Sequence, residues 1–355
     1  MTAKYQQLAD MLRSELRQLA RQGGNKLATE AEISQRYHMS RQTVRHALDL
    51  LEAEGLVERR QGSGTYIADQ RPSGNHRQIA VIATFLDDYI FPAILHEIQS
   101  SLSQAGYGTL AFATENQVSK EREILAKLLE RKISAVLVEG SKTALPTPNS
   151  DLYRALLSKG VPVLFFHGSY SNLTGSPCLL NDNYSGGYQL AQYLLGRGHR
   201  KIAGIFKCDD MQGPQRYHGV VSALRDAEVP IRDGGFLWYD TEDRAAIIDG
   251  GSCLLDAFIS RRLSDATAVV CYNDEIAYHL IRRLLETGTS VPDDVAVVSF
   301  DNSFYCQIGP VPITSMGHKA NQIGKTAARL LLDMLAGGRP QSLSLKWELF
   351  CRKSG

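Results

Sequence analysis

Two groups of residues in this 355-residue chain have types and spacings that could do chemistry. The first lies in SRQTVRHALDLLEAEGLVERRQGSGTYI, residues 40–67. Val44, Ala47, Leu48 and Leu51 fall at i, i+3, i+4 and i+7, the apolar stripe of a helix. Arg41, Gln42, Arg45 and His46 fall on the opposite side, near the helix start. Arginine forks there match the N7 and O6 acceptors of guanine in a major groove. Such a face on its own is ordinarily solvated surface, so the residues after the helix decide between the two. Leu56–Arg60 and Thr65–Ala68 read as strands too short to stand alone. Their tip, Gln61, Gly62, Ser63 and Gly64, has almost no side-chain bulk and can enter a minor groove about 6 Å wide. Arg59 and Arg60 flank the tip, where phosphates would lie.

The second group stands at the ends of apolar runs. IAVIATFL (79–86), YGTLAFAT (107–114), ISAVLVEG (133–140), PVLFFHG (162–168), KIAGIF (201–206), ATAVVCYN (266–273) and VAVVSFD (295–301) read as buried parallel strands, with helical patterns between most of them. Asp87, Asp88 and Tyr89 follow the first run; Glu139 ends the third and His167 the fourth. Lys207, Asn273 and Asp301 follow or end the last three. Ligands in open α/β sheets sit beyond the carboxyl ends of the strands. Donors and acceptors converging in one dry cleft are what a polyhydroxylated ligand needs. Tyr89, Phe91 and Phe304 are candidates for an aromatic contact to its C–H face.

The elements that position these groups set the domain plan. A helix over Tyr5–Arg21 carries Leu8, Leu12, Leu16 and Leu19 on one stripe. Thr29 to Glu32 is a capping box that starts a second helix, with Ile33 and Tyr37 turned inward. Ser40 caps the third helix and Gly55 is its expected left-handed stop. The plan is α/β: a small winged helix-turn-helix head (1–68), a polar linker DQRPSGNHR (69–77), and a body (78–355) of βαβ units large enough for two lobes.

Composition narrows the function. Residues 1–77, head and linker together, hold 12 Lys and Arg against 9 Asp and Glu, while the remainder holds 27 against 29. That excess is too small to imply nucleic acid without the positional argument. Six scattered cysteines form no metal spacing and suit a reducing, cytoplasmic setting. MTAKYQQLAD has no apolar signal core, and no run approaches a membrane span. A transport binding protein would have no use for residues 1–68. No nucleophile elbow of the G-x-S-x-G type is present, and neither enzyme nor cofactor chemistry is expected.

Residues 4–68 resemble the DNA-binding domain of the GntR family through T-E-A-E-I, S-R-Q-T-V-R-H-A-L-D-L-L and E-G-L-V-E-R-R-Q-G-S-G-T-Y-I. The resemblance implies that Arg41 and Arg45 read the major groove and the Gly62–Gly64 wing the minor groove. It also implies that Glu30 helps near the groove and that Lys4 and Tyr5 hold a phosphate. Residues 78–355 resemble the effector domain of LacI-type regulators, relatives of periplasmic sugar-binding proteins. The marks are NDNYSGGYQLAQYLLGRGHRKIAGIF, Q-R-Y-H-G at Gln215–Gly219, CYNDEIA and VPDDVAVVSFDN. That resemblance implies two lobes with parallel sheets, with Arg216, Asn273 and Asp301 gripping ligand hydroxyls. The join of the two resembles the arabinose-responsive repressors of Gram-positive bacteria, which implies a homodimer on operator DNA with L-arabinose as effector. Spacing alone indicates a polar small molecule, leaving another pentose, a hexose or a purine open. The linker lacks the hinge helix of LacI-type proteins, so their coupling to DNA does not carry over.

Overall fold

The computed structural model describes residues 4–21, 26–54, 56–60, 64–67, 77–87, 89–173, 175–250, 253–263, 265–318 and 322–355. The chain divides into two compact units, Met1–Arg77 and Gln78–Gly355. Among the described residues no helix is long and apolar enough to cross a membrane.

In the head, α1 (Lys4–Arg21), α2 (Glu30–Tyr37) and α3 (Arg41–Ala53) precede a hairpin of β1 (Val57–Arg60) and β2 (Gly64–Ile67). Leu8, Leu12 and Leu16 of α1 meet Ile33 of α2 and Val44, Ala47, Leu48 and Leu51 of α3 in one buried cluster. Thr29 caps α2 reciprocally: its hydroxyl accepts from Glu32 N at 3.3 Å, and its own N–H donates to the Glu32 carboxylate at 2.7 Å. Ser40 Oγ accepts from Thr43 N at 3.2 Å and starts α3, a cap worth about 1 kcal/mol. The short hairpin is held from outside. Val57 and Ile67 pack on the helical cluster, and Leu27 N donates to Thr65 O at 2.9 Å. Gly55, the tip residues 61–63 and the linker residues 69–76 lie outside the described residues.

The body begins with β3 (Gln78–Ala83), α4 (Phe91–Gln104), β4 (Gly108–Ala113), α5 (Val118–Leu129), β5 (Ala135–Val138), α6 (Ser150–Ser158), β6 (Val163–Phe166) and β7 (Cys178–Asn181). A second lobe comes next: α7 (Asn183–Gly196), β8 (Ile202–Lys207), α8 (Gln212–Asp226), β9 (Phe236–Tyr239), α9 (Thr241–Ile248) and α10 (Cys253–Arg262). It continues with β10 (Ala268–Cys271), α11 (Asp274–Glu286), β11 (Ala296–Phe300), α12 (Tyr305–Ile308) and β12 (Thr314–Gly317). Then α13 (Gln322–Leu335) and β13 (Leu343–Leu345) return to the first lobe, and β14 (Glu348–Phe350) to the second.

The sheets run β13-β7-β6-β5-β3-β4 and β14-β12-β11-β10-β8-β9. All pairings are parallel except β12 with β14. The chain therefore passes between lobes after β7, after β12 and after β13. Strands such as β3 and β6 are buried on both faces, which explains their unbroken apolar runs.

The seven apolar runs form β3, β4, β5, β6, β8, β10 and β11. Hydropathy does not flag β7, β9, β12, β13 and β14. These are short, and most stand at or next to a sheet edge. β12, Thr-Ser-Met-Gly, reads as polar yet is buried throughout, because its hydroxyls have built-in partners. Ser315 Oγ donates to Asp274 at 2.6 Å, and Thr314 Oγ1 accepts from Arg352 N at 2.8 Å. The helices beneath the cleft cross closely. A Cβ on Gly187 would stand 2.1 Å from the Arg216 carbonyl oxygen, and one on Gly219 would stand 2.0 Å from that of Tyr184. Only glycine allows α7 and α8 to approach so far, and that approach fixes the position of Arg216.

Candidate functional site

The head presents Arg41, Gln42, Arg45 and His46 as exposed residues on the first half of α3. The residues beneath them are fully buried, so the helix has no freedom to roll. Arg45 Nη2 lies 3.2 Å from Glu30 Oε2 at the start of α2, and this hydrogen-bonded carboxylate raises the arginine pKa. Tyr5, on α1, sets its ring edge-on to His46 with centroids 6.1 Å apart. Lys4 is the exposed first residue of α1. Gly64 opens β2 at φ 121°, a conformation that favours glycine. Gln61, Gly62 and Ser63 lie outside the described residues, as does the Arg60 side chain.

One expectation for the head is corrected. Arg59 does not reach outward to phosphate; its Nη1 lies 2.8 Å from Asp49 Oδ1, and its Nη2 donates to Arg45 O at 3.1 Å. The acidic side of α3 captures it. A cation the sequence reading passed over stands in a better place. Lys26 Nζ lies over the Tyr66 ring at 5.5 Å, and Lys26 pairs with the wing strand beside Gly64.

In the body, a cavity of about 100 Å³ is lined by Tyr89, Glu139, His167, Lys207, Arg216, Asn273 and Asp301 together. Phe91 lines it as well, with its ring edge-on to His167 at 6.2 Å. Phe304 does not: it is 53 % exposed and stacks on Tyr305. The chain turns into α12 there, which carries the ring away from the cleft. Asp87 is exposed and outside the lining, and Asp88 is outside the described residues.

The cations of the cleft are each held by carboxylates, and its carboxylates by cations or hydrogen bonds. Glu139 accepts from Thr84 N at 3.0 Å and from Thr84 Oγ1 at 2.5 Å, and its second oxygen lies 2.9 Å from His167 Nδ1. Lys207 Nζ sits 2.8 Å from Asp209 and 3.3 Å from Asp210. Burial opposes the lysine charge, yet Asp210 and Asp209 outweigh it and leave the pKa raised. Arg216, 1 % exposed, donates from Nε to Asn183 at 3.1 Å and from Nη1 to the Tyr272 carbonyl. Its Nη2 donates to Gln212 at 3.1 Å and to Asp301 at 3.3 Å. Four of the five N–H groups of a guanidinium are thus engaged within the protein, and one on Nη1 remains for a ligand. The rings of Phe300, Tyr272 and Trp347 surround the guanidinium at 4.3, 4.7 and 5.3 Å. Asn273 Oδ1 caps α11 by accepting from Ile276 N at 3.1 Å.

Backbone strain gathers at the same strand exits. Tyr89 (φ 56°), Asn116 (57°), Lys142 (50°), His167 (60°), Asp301 (96°) and Asn302 (48°) are all left-handed non-glycine residues. Such conformations cost of order 1–3 kcal/mol each and persist where the surroundings over-determine them. Here they turn polar side chains back over the sheet ends.

Several lining residues escaped the sequence reading, among them Asn116, Gln212, Arg244, His318 and Trp347. His318 stacks on Trp347 with centroids 4.1 Å apart, and its Nδ1 lies 3.0 Å from Lys346 O. Burial lowers its pKa to about 4, so the ring is neutral at pH 7, with Nδ1–H donating and Nε2 a bare acceptor. Among the described residues the Nε2 atoms of His167 and His318 have no partner. The signal for both missed rings was topological: they stand on passages between lobes, which only a fold reveals.

Residues 4–67 match the model of bacterial regulatory proteins of the gntR family, and residues 191–354 match a periplasmic binding protein-like domain. The arabinose metabolism transcriptional repressor of Geobacillus stearothermophilus is 33% identical over 94% of this chain and 91% of its own length. The one from Halalkalibacterium halodurans is 33% identical over 94% of this chain and 90% of its own. Among solved structures, the transcription regulator GntR of Chromobacterium violaceum superposes with a TM-score of 0.68 at 25% identity. That match covers 78% of this chain and 99% of the other. With a winged head, a two-lobed body and relatives matched over nearly their full length, the chain belongs to the family of the arabinose metabolism transcriptional repressors, which are DNA-binding regulators and not enzymes.

Proposed function

We propose that this protein binds operator DNA as a homodimer through its winged heads, and that L-arabinose entering the cleft of the body releases it. The observation that carries this reading is the pairing of charge in the cleft. Every cation lining it is already matched within the protein: Lys207 by Asp209 and Asp210, Arg216 by Asp301, and Arg244 by Glu275 at 2.7 and 2.8 Å. An anionic ligand entering this site would leave water without finding a free cation, and burying an unmatched charge is costly. A neutral sugar carries no such penalty. Its hydroxyls can donate to the Nε2 atoms of the two histidines, which have no protein partner among the described residues. A cavity of about 100 Å³ suits a single small ring, well below the roughly 300–1,000 Å³ of drug-sized sites. The relatives named for arabinose metabolism support the choice of pentose.

A dimer fits the two half-sites of a pseudo-palindromic operator, with head spacing set by the bodies. The sugar acts through its preference for one arrangement of the dimer over another. A swing from 99:1 to 1:99 needs about 5.5 kcal/mol of differential binding, which two sites can share. No cofactor enters this scheme. The test is operator binding by the purified protein with L-arabinose, D-xylose, D-ribose, D-glucose, a pentose phosphate and hypoxanthine. Release by L-arabinose alone, or by it at the lowest concentration, is expected. Equal operator affinity with and without saturating L-arabinose refutes it as effector. Release by hypoxanthine would favour a purine effector, for which the His318–Trp347 stack offers a flat neighbour.

A further inference from the structure

Asn116 sits on the connection between β4 and α5, in the first lobe, and is 2 % exposed. Its carbonyl oxygen accepts from Lys142 N at 2.7 Å within that lobe. Its amide nitrogen crosses to the second lobe, donating to Thr241 Oγ1 at 2.6 Å and to Asp209 Oδ2 at 3.1 Å. Thr241 Oγ1 in turn donates to the same Asp209 oxygen at 2.6 Å. The other oxygen of Asp209 holds Lys207 Nζ at 2.8 Å, and Lys207 lines the cleft. A line of hydrogen bonds that ends in an ion pair thus runs from the first lobe through Asn116 and Asp209 to a cation facing the ligand space. Every donor and acceptor of the amide is used, in a left-handed backbone conformation that asparagine tolerates better than most residues.

We propose that Asn116 is a positioning residue for the effector: a clasp that joins the lobes directly through Asp209 and Thr241 and thereby holds Lys207 in place. This rests on the reading that a neutral sugar occupies the cleft. The geometry needs an amide here. A carboxylate at 116 would set two negative oxygens against each other in a buried place, and like charges there repel strongly. Exchanging the two groups restores the bond between them, because an amide at 209 can donate to a carboxylate at 116 while its oxygen still faces Lys207; the cost is the bond that Thr241 N donates to Asp209 Oδ2 at 3.1 Å.

The experiment is a double-mutant cycle on the full chain: wild type, Asn116→Asp, Asp209→Asn and the double variant. L-Arabinose affinity is measured by titration calorimetry and thermal midpoint is measured without sugar. Asn116→Asp is expected to weaken L-arabinose binding at least tenfold and to lower the midpoint. Adding Asp209→Asn should recover part of both losses, so that the double variant is better than the product of the single effects, which a merely local disruption at 116 would not show. If the two substitutions combine multiplicatively in affinity and show no coupling in the midpoint, the clasp is wrong, whatever the ligand. If the wild type ignores L-arabinose while the midpoints still couple, the functional reading fails and the clasp stands.

Discussion

The head and the body both depend on arginine, under opposite conditions. Arg45 stands in water with a single carboxylate beside it, whereas Arg216 is fully buried, bonded to four protein groups and enclosed by three rings. An exposed arginine held by one half-buried carboxylate at the surface gives that partner up readily, since surface pairs contribute about 0–1 kcal/mol. It is therefore free to exchange Glu30 for a base edge. A buried arginine of this kind does not move; it sets the shape of the wall against which a ligand is measured. One exchanges partners, the other fixes geometry. Their variants should fail differently.

The largest effect is expected at Arg216. Arg216→Ala removes the counter-charge of Asp301 and leaves that carboxylate with the Tyr89 hydroxyl at 2.8 Å and no cation, a change that typically costs about 3–5 kcal/mol. Chemical denaturation should show the loss in the body, and calorimetry should show no sugar binding. A variant with wild-type stability would mean that solvent reaches Asp301 and that the buried wall is misdescribed.

Next comes Asp274, behind the same wall. Its carboxylate accepts from Ser315 Oγ at 2.6 Å, from Ser303 N at 2.6 Å and from Ser299 Oγ. Burial, and then the neighbouring Asp301, nevertheless push its pKa up to about 6. The folded state thus holds this proton between about pH 4 and 6, where the unfolded chain has released it. The contribution of Asp274 to stability is full below its unfolded pKa and falls as pH rises through about 6. Asp274→Asn lacks this slope, so wild type should lose about 3 kcal/mol relative to the variant between about pH 4 and 7. A pH-independent difference between the two would show that Asp274 is ionised throughout.

How far sequence could carry this comparison differs between the regions. The three helices, their caps and the apolar stripe of α3 could all be read from the chain, because local periodicity and capping residues act over a few positions. The body's main strands could be read from their buried, unbroken runs. The short strand β12 could not, since Thr314 and Ser315 are polar residues buried against partners far away in the chain. In the cleft, polar residues directly after apolar runs converge as their positions imply. His318, Trp347 and Asn116 do not follow a recognised run, and their place depends on how the chain passes between lobes. Arg59 failed for another reason: a position next to the wing says nothing of Asp49 and Glu52, which lie in the last two turns of α3.

The smallest effects belong to the head, and they form a ladder. Arg45→Ala should cost roughly 1–3 kcal/mol in operator affinity and relax selectivity at one base position, with stability unchanged. Lys26→Ala should weaken binding to all sequences alike, because a cation beside the wing can meet phosphate but carries no base information. Releasing one phosphate contact lowers the slope of log affinity against log salt by about 0.9. Arg59→Ala should leave that slope nearly unchanged, since its guanidinium is already committed to Asp49 and Arg45 O. Its loss should appear instead as a small drop in the stability of the hairpin, measured by thermal melting of the intact chain. If the salt slope falls for Arg59→Ala and not for Lys26→Ala, the wing's phosphate contact is the arginine after all, and its ion pairs with α3 must break on binding DNA.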